Sequence, residues 1–305
     1  MDMLSSILAT IIVASLPLLI AALGEHVTER AGVLNLGVEG MMIMGAAVGF
    51  AAAVTFDSSL AGFVAGAVAG MALAALFAFF VLFLATNQVA TGLALTILGL
   101  GLAGLIGASF VGQPRPAVAP VIIPLLSDLP LIGRALFAAD PVFYLTVAMI
   151  AGVAWFLNHT RGGLLLRATG ESHHAAHALG LPVRRIRLLA ILFGGLMAGL
   201  AGAYLSLIYT RFWSPGMTAG RGWIALALVV FASGLVWRLV LGALIFGGLT
   251  VAQLHAQAGA IALPSQLLSA LPYLMTIVAL IVLSIAGRRG GGAAGALGQP
   301  FVPDK

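Results

Sequence analysis

Long apolar blocks separated by short polar breaks set the pattern of this chain. They fall near residues 4–23, 37–56, 60–84, 89–111, 141–157, 188–209, 222–236, 239–258 and 268–286. A helix of about 20 residues spans a hydrocarbon core of about 30 Å, so most blocks are long enough to cross a membrane. The shorter ones point to one or two re-entrant or broken segments, whose irregular backbone must be covered by protein. The expected fold is all-α, a polytopic transmembrane helix bundle of about 8–10 spans. The transmembrane domain is expected over 1–286, with the Gly-rich stretch 287–305 as a flexible tail. Glycines recur every fourth residue at Gly62, Gly66 and Gly70, and again at Gly195 and Gly199, near Gly202. Such ladders let helix backbones approach closely in lipid, so they are read as bundle-building positions.

The longest polar interruption runs from Arg161 to Arg187 and holds five of the fourteen basic residues. A short helix is predicted within it. Ser172 caps the N-terminus, His173 to Leu179 form the body, Gly180 takes the left-handed C′ position and Pro182 blocks continuation. Ala175, Ala176, Leu179 and Gly180 give this helix a small, smooth face. One reading is an ordinary loop with a helical turn; the other is a docking element that carries force from a soluble partner into the membrane. If loop 158–187 is cytoplasmic, alternation of spans places Arg30, Arg238, Arg288, Arg289 and Lys305 on its side. Arg115, Arg134, Arg211 and Arg221 are left opposite, and that asymmetry obeys the positive-inside rule. It favours an odd number of crossings with the N-terminus outside.

The second informative stretch is Glu25 to Ala46. Asn35 and Glu39 sit four apart and share a face if the backbone is helical there. Polar groups beside an apolar run turn to the protein interior or to water. They are read as structural hydrogen-bonding anchors or, alternatively, as part of a translocation path. Glu29 and Arg30 could pair at the interface. Asn87, Gln88 and Thr91 form a polar break that either caps helix ends or lines a path with amides. Phe212, Trp213 and Trp223 flank an external loop and are read as interfacial anchors rather than stacking surfaces. Prolines 114, 116, 120, 124 and 130 stop any regular helix through the external connection 112–140.

Composition narrows the class. The chain is 62% hydrophobic and 8% charged, too little polar surface for a soluble domain of 305 residues. Mean hydropathy is +1.16, in the range of a multi-pass membrane protein. Met1-Asp-Met carries no basic n-region, and the apolar run to Leu23 reads as a span rather than a signal peptide. With no cysteine, neither disulfides nor thiolate metal sites are available. His173 and His177 have i, i+4 spacing, but no acidic cluster completes a metal site. The net charge of +5 comes from sparse arginines between apolar spans. Orientation against membrane lipid explains them, and no nucleic acid partner is expected. There is no Gly-x-x-x-x-Gly-Lys-Ser/Thr pattern and no nucleophile–base constellation, so neither ATP hydrolysis nor other catalysis is expected of this chain, and no cofactor. An integral membrane enzyme would need clustered acids, and the nine acidic residues are scattered. An ion-coupled transporter would need a buried relay, for which Glu39 is the one candidate.

Leu166-Arg-Ala-Thr-Gly-Glu-Ser-His-His-Ala-Ala-His-Ala-Leu-Gly-Leu resembles the cytoplasmic coupling loop of permease subunits in bacterial ABC importers. Glu29-Arg-Ala-Gly-Val-Leu-Asn-Leu-Gly-Val-Glu-Gly-Met-Met resembles the nucleoside and simple-sugar branch of the ribose and branched-chain amino acid permease superfamily. Gly220-Arg-Gly-Trp-Ile-Ala-Leu-Ala and Leu271-Pro-Tyr-Leu-Met-Thr agree with it. Phe231-Ala-Ser-Gly-Leu-Val-Trp departs from it, lacking the usual Gly after the Phe and Pro after the Trp. The resemblance implies a multi-pass protein of the bacterial inner membrane that translocates a nucleoside or related small polar solute. It implies that Gly170, Glu171, Ala175, Ala176, Leu179 and Gly180 couple to separate ABC ATPase subunits. It further implies a second homologous permease and an extracytoplasmic substrate-binding lipoprotein as partners.

Overall fold

The computed structural model describes residues 2–124, 126–127, 129, 133–258, 270–271, 274–278, 281 and 294–302. The expected span 268–286 lies mostly outside these residues, as do Pro130, Arg288, Arg289, Lys305 and the Arg134 side chain. Helix α1 (Asp2–Arg30) is followed by α2 (Val38–Thr55), α3 (Ser59–Ala78) and α4 (Gln88–Gly107). Strand β1 (Val121–Ile122), α5 (Gly133–Phe137) and β2 (Ala138–Ala139) come next. Then follow α6 (Pro141–His159), α7 (Arg161–Glu171), α8 (His173–Ala178), α9 (Val183–Tyr204), α10 (Arg221–Ala232) and α11 (Val236–Ala258). Helices α3 and α9 each run on into a π-helical turn, Phe79–Phe83 and Leu205–Tyr209. Seven helices among the described residues are long and apolar enough to cross a membrane, and α10 is a shorter apolar one. The fold is therefore the expected all-α polytopic bundle.

Polar residues at the block edges start the helices. Ser58, Asn87, Asp140, Thr160 and Ser172 each accept a backbone N–H of the first turn of α3, α4, α6, α7 and α8. Each satisfies a donor that the helix itself leaves open. Pro141 fits at the first position of α6, where no N–H is needed.

The centre of the bundle is α2, α3 and α9, packed backbone to backbone. A Cβ on Gly66 would fall 2.7 Å from the Gly45 carbonyl, and one on Gly70 2.6 Å from Gly199 Cα. No side chain fits there. The glycine ladders thus act as packing surfaces, where dispersion between close helices replaces the hydrophobic drive that lipid cannot supply. Helix α1 lies against α9, α10 and α11, and its Ala21, Ala22 and Leu23 are buried.

The two ends of the bundle differ in charge. At one end the Arg30 guanidinium donates to the Gly234 carbonyl, Arg187 reaches Ala31, and Arg184 lies over Phe83. At the other, Arg115 pairs with Asp57 at 3.4 Å, donates to the Ala53 carbonyl, and bonds through its backbone N–H to Arg211. The described residues of the connection 112–140 lie at this second end. It is not wholly irregular: β1 pairs antiparallel with β2, and α5 forms after the prolines.

Three expectations change. Residues 31–37 form turns rather than helix, so Asn35 and Glu39 do not share a helix face. Trp213 is 1% exposed, packed on Gly107 where a Cβ would collide with its ring, so it is a core residue and not an interfacial anchor. Phe212 and Trp223 are about half exposed. Residues 294–302, part of the stretch expected to be loose, lie against the arginine-rich end. Ala296 and Phe301 are buried there, 3% and 5% exposed.

Glycine packing and open glycines should respond oppositely to substitution. Gly70→Val is expected to destabilise the chain by about 2–3 kcal/mol through overpacking. Gly101→Ala in α4, where a Cβ meets nothing within 4 Å, should be neutral or stabilising by up to about 1 kcal/mol from helix propensity. Melting temperatures of the purified chain in detergent, read by size-exclusion chromatography, check both.

Candidate functional site

Two broken helix ends meet inside the bundle at Glu39. The chain leaves α1, turns through 31–37 and enters α2 at Val38. On the far side, Gly220 in the left-handed conformation (φ +79°) starts α10. Glu39 is 4% exposed. Its Oε1 accepts from the Thr218 hydroxyl at 2.6 Å and from the Gly220 N–H at 2.8 Å; its Oε2 accepts from the Gly222 N–H at 2.6 Å. One carboxylate therefore caps the first turn of α10 from another helix, where the helix dipole favours negative charge. Gly222 is needed for this approach, since a Cβ would fall 2.6 Å from Glu39 Cα.

The depth of the junction follows from α4. Gly40 packs against Thr96, eight residues beyond Gln88, or about 12 Å along the helix. Helix α10 then returns to the arginine-rich end, where the Gly234 carbonyl meets Arg30. Its 12 residues cover about 18 Å, roughly half a bilayer. A half-helix whose N-terminus ends within the membrane is the element from which transporter sites are built.

Asn35 is fully buried and holds the turn that precedes α2. Its Oδ1 accepts from the Gly37 N–H at 2.9 Å, and its own N–H donates to Glu25 Oε1 at 3.2 Å. Asn87 is exposed and caps α4. Thr91 donates to the Asn87 carbonyl. Gln88, 1% exposed, accepts from the Leu34 N–H at 2.8 Å and donates to the Gln299 carbonyl at 3.3 Å. The amide pair is thus split between a helix cap and a buried cross-link. Glu29 and Arg30 make no ion pair within 4.0 Å, since Arg30 turns to Gly234.

The predicted short helix is present as α8. Ser172 caps it, Gly180 is left-handed (φ +78°) and Pro182 precedes α9. Its residues divide into two sets. Ala176 is 3% exposed against Val183 and Phe301, and Gly170 is buried against the Arg30 carbonyl. Glu171, Ala175, Leu179 and Gly180 face outward, with Leu179 81% exposed. Ala176 and Gly170 therefore seat the element and are not part of its outer face.

Arg187, which carried no site assignment, is the hub beneath α8. It is fully buried; Nε donates to the Ala31 carbonyl at 3.1 Å, Nη1 to the Gln299 carbonyl at 3.1 Å and Nη2 to His173 Nδ1 at 3.2 Å. Because a guanidinium only donates, His173 Nδ1 must accept, and the proton of the neutral ring sits on Nε2. Burial, then the charge of Arg187, then His174 push the His173 pKa down to about 4. An arginine one turn into an apolar helix was the available sequence signal. Its three acceptors, brought from residues 31, 173 and 299, were not legible.

Residues 7–284 match the family described as the permease component of the branched-chain amino acid transport system. The chain belongs to this family. It is 41% identical to a putative glucose ABC transporter permease protein of Haloferax volcanii, over 92% of each chain. It is 32% identical to a guanosine ABC transporter permease protein of Bacillus subtilis, over 100% of this chain and 98% of that one. It is 30% identical to a nucleoside ABC transporter permease protein of Lactococcus lactis, over 91% and 92%. The chain is a multi-pass plasma-membrane permease subunit, a transporter component rather than an enzyme. Permeases of this kind work with ATPase and substrate-binding partners.

The junction gives a graded expectation at Glu39. Glutamine keeps one acceptor oxygen but sets an NH2 against the Gly222 or Gly220 N–H. Glu39→Gln should thus cost the permease about 1–3 kcal/mol, and Glu39→Ala, which leaves three buried donors unmet, clearly more. Thermal midpoints of the two variants give the order.

Acid should loosen α8. His173 has a folded pKa of about 4 against an ordinary 6.5, so the unfolded segment binds more protons between those values. Its packing is then complete above about pH 6.5 and weakens progressively toward pH 4. Amide exchange of α8, corrected for the intrinsic pH dependence, should show this slope, and His173→Gln should flatten it.

Proposed function

We propose that this permease is the membrane-spanning subunit of an ATP-driven importer for a nucleoside or sugar-type solute, with α7–α8 on the cytoplasmic face as the ATPase coupling element. The observation that carries the reading is the outer face of α8. Leu179 stands 81% exposed beside Gly180, at the arginine-rich end of the bundle. The positive-inside rule puts that end in the cytoplasm. An exposed leucine on a rigid, capped helix suits insertion into a groove of a soluble partner, with Glu171, Ala175 and Gly180 completing the contact.

The solute class rests on the relatives, whose names cite glucose, guanosine and nucleosides. Movement of α8 would reach the membrane interior through residues that touch in sequence: Gln88 holds Leu34, the turn 31–37 leads into α2, and Glu39 joins α2 to α10. A second, homologous permease would complete the path and make the assembly a heterodimer. An extracytoplasmic binding lipoprotein would dock on the 112–140 cap. Asn35 and Glu39 act in this scheme as anchors of the moving junction. Both oxygens of Glu39 are engaged by donors of the protein itself, which supports the anchoring role.

Leu179→Arg tests the coupling reading. Retention of the ATPase subunit on the affinity-purified permease should fall at least about tenfold, as for loss of an interface anchor. The permease should remain at its normal level in the membrane and keep its melting temperature. Full retention of the ATPase would sink the assignment. Ala176 does not serve for this test, because its side chain supports α8 from beneath.

A further inference from the structure

Helix α8 has six residues, too few to be stable alone. Its pose is set by what lies under it. Helix α9 offers Val183, with Leu181 at its approach; the largest apolar group in the seat is Phe301. The Phe301 ring is 5% exposed and stands edge-on to His173 and His177 at centroid distances of 5.4 and 5.3 Å. The segment before it is fixed at several points. The Ala296 N–H donates to the Gly170 carbonyl at 2.9 Å, and the Gln299 carbonyl accepts from both Arg187 and Gln88. Gly295 lies on Glu171, where a Cβ would fall 2.7 Å from its carbonyl oxygen, and Gly298 is left-handed. Nine residues distant in sequence thus touch α7, the cradle of α8, α9 and the start of α4.

We propose that residues 294–302 are a strap that holds α8 in its docking pose and ties it to the turn preceding α2, with Phe301 as the positioning residue. The strap acts at two places. Phe301 fills the seat of α8. The Gln299 carbonyl bridges Arg187, which orients His173, and Gln88, whose other end holds Leu34. A push on α8 therefore meets a braced element rather than a loose loop, and reaches the 31–37 turn by two routes, the shared Gln299 carbonyl and the direct Arg187–Ala31 bond. This role rests on α8 being the ATPase coupling element.

The test uses the full chain, first alone in nanodiscs and then assembled. In the chain alone, Phe301→Ala should raise amide exchange at Ala176, Leu179 and Leu181 about tenfold, while the core amides of α2 and α9 keep their protection. Phe301→Leu, which keeps most of the volume, should give about a threefold rise, and it decides the matter if the alanine variant does not accumulate. In the complex, saturated with ATPase subunits, Phe301→Ala should import at least about fivefold less solute per ATP hydrolysed, a loss of coupling that reduced stability alone does not cause. Unchanged exchange at α8 in either variant, or unchanged import per ATP, overturns the strap. Leu179→Arg separates the two claims. With docking and strap both correct, it releases the ATPase and leaves α8 exchange at the wild-type rate. If it keeps the ATPase, the docking reading fails while the exchange result still judges the strap.

Discussion

A helix that begins inside a membrane leaves backbone N–H groups with no water to bond, and each unmet donor there costs several kcal/mol. Glu39 meets this demand for α10. Its carboxylate takes two backbone N–H groups and the Thr218 hydroxyl that leads into them. The negative charge is tolerated at this depth because three donors and the positive end of a helix surround it. The half-helix in turn allows the chain to enter from one face, turn within the bundle and return to the arginine-rich end. Without this cap the first turn of α10 would have to unwind or leave the interior. The junction also ties α2 to α10 by polar bonds with defined geometry, whereas the neighbouring contacts are smooth glycine surfaces.

Those smooth surfaces make the second half of the design. Where α2, α3 and α9 meet, glycine backbone touches backbone, with small side chains such as Ala74 and Ala203 filling in beside it. Dispersion holds such faces together, and the close approach fixes their register, since a slide would bring a Cβ into a glycine's place. The π-helical turns at Phe79–Phe83 and Leu205–Tyr209 sit at the ends of two of these helices, where an extra residue per turn relieves the register.

Much of this was legible from the residues. The apolar blocks marked the described helices to within about five positions, because length and hydropathy decide them, except that α1 runs seven residues past its block to Arg30. The α8 helix was legible down to its cap and its left-handed glycine, since Ser172, Gly180 and Pro182 act through local backbone chemistry. Glu39 stood out as an anchor, but its partners at 218, 220 and 222 depend on a long-range closure that no local pattern encodes. Asn35 and Glu39 share a face only if the backbone between them is helical; Gly32 and Gly37, which make a break plausible, flank a turn there. Trp213 was misplaced because an aromatic near a loop resembles an interfacial anchor, while Gly107 supplies the pocket that draws it inward. Residues 294–302 follow a Gly-rich run, whose composition signals flexibility, yet they pack. The isolated Phe301 beyond it was the overlooked sign of an apolar contact.

The arginine-rich end shows why a buried cation can be a mechanical part. Arg187 has no carboxylate partner among the described residues. Its charge is compensated by two carbonyls and a neutral imidazole, drawn from three distant segments. Charge-assisted bonds of this kind are strong and directional, and losing one would leave a buried cation short of an acceptor. The three segments therefore move with α9 or not at all. Helix α9 is also the helix whose glycines pack on α2 and α3, so the seat of α8 and the glycine core share one helix. The position of one arginine thus joins the polar end of the bundle to its glycine core.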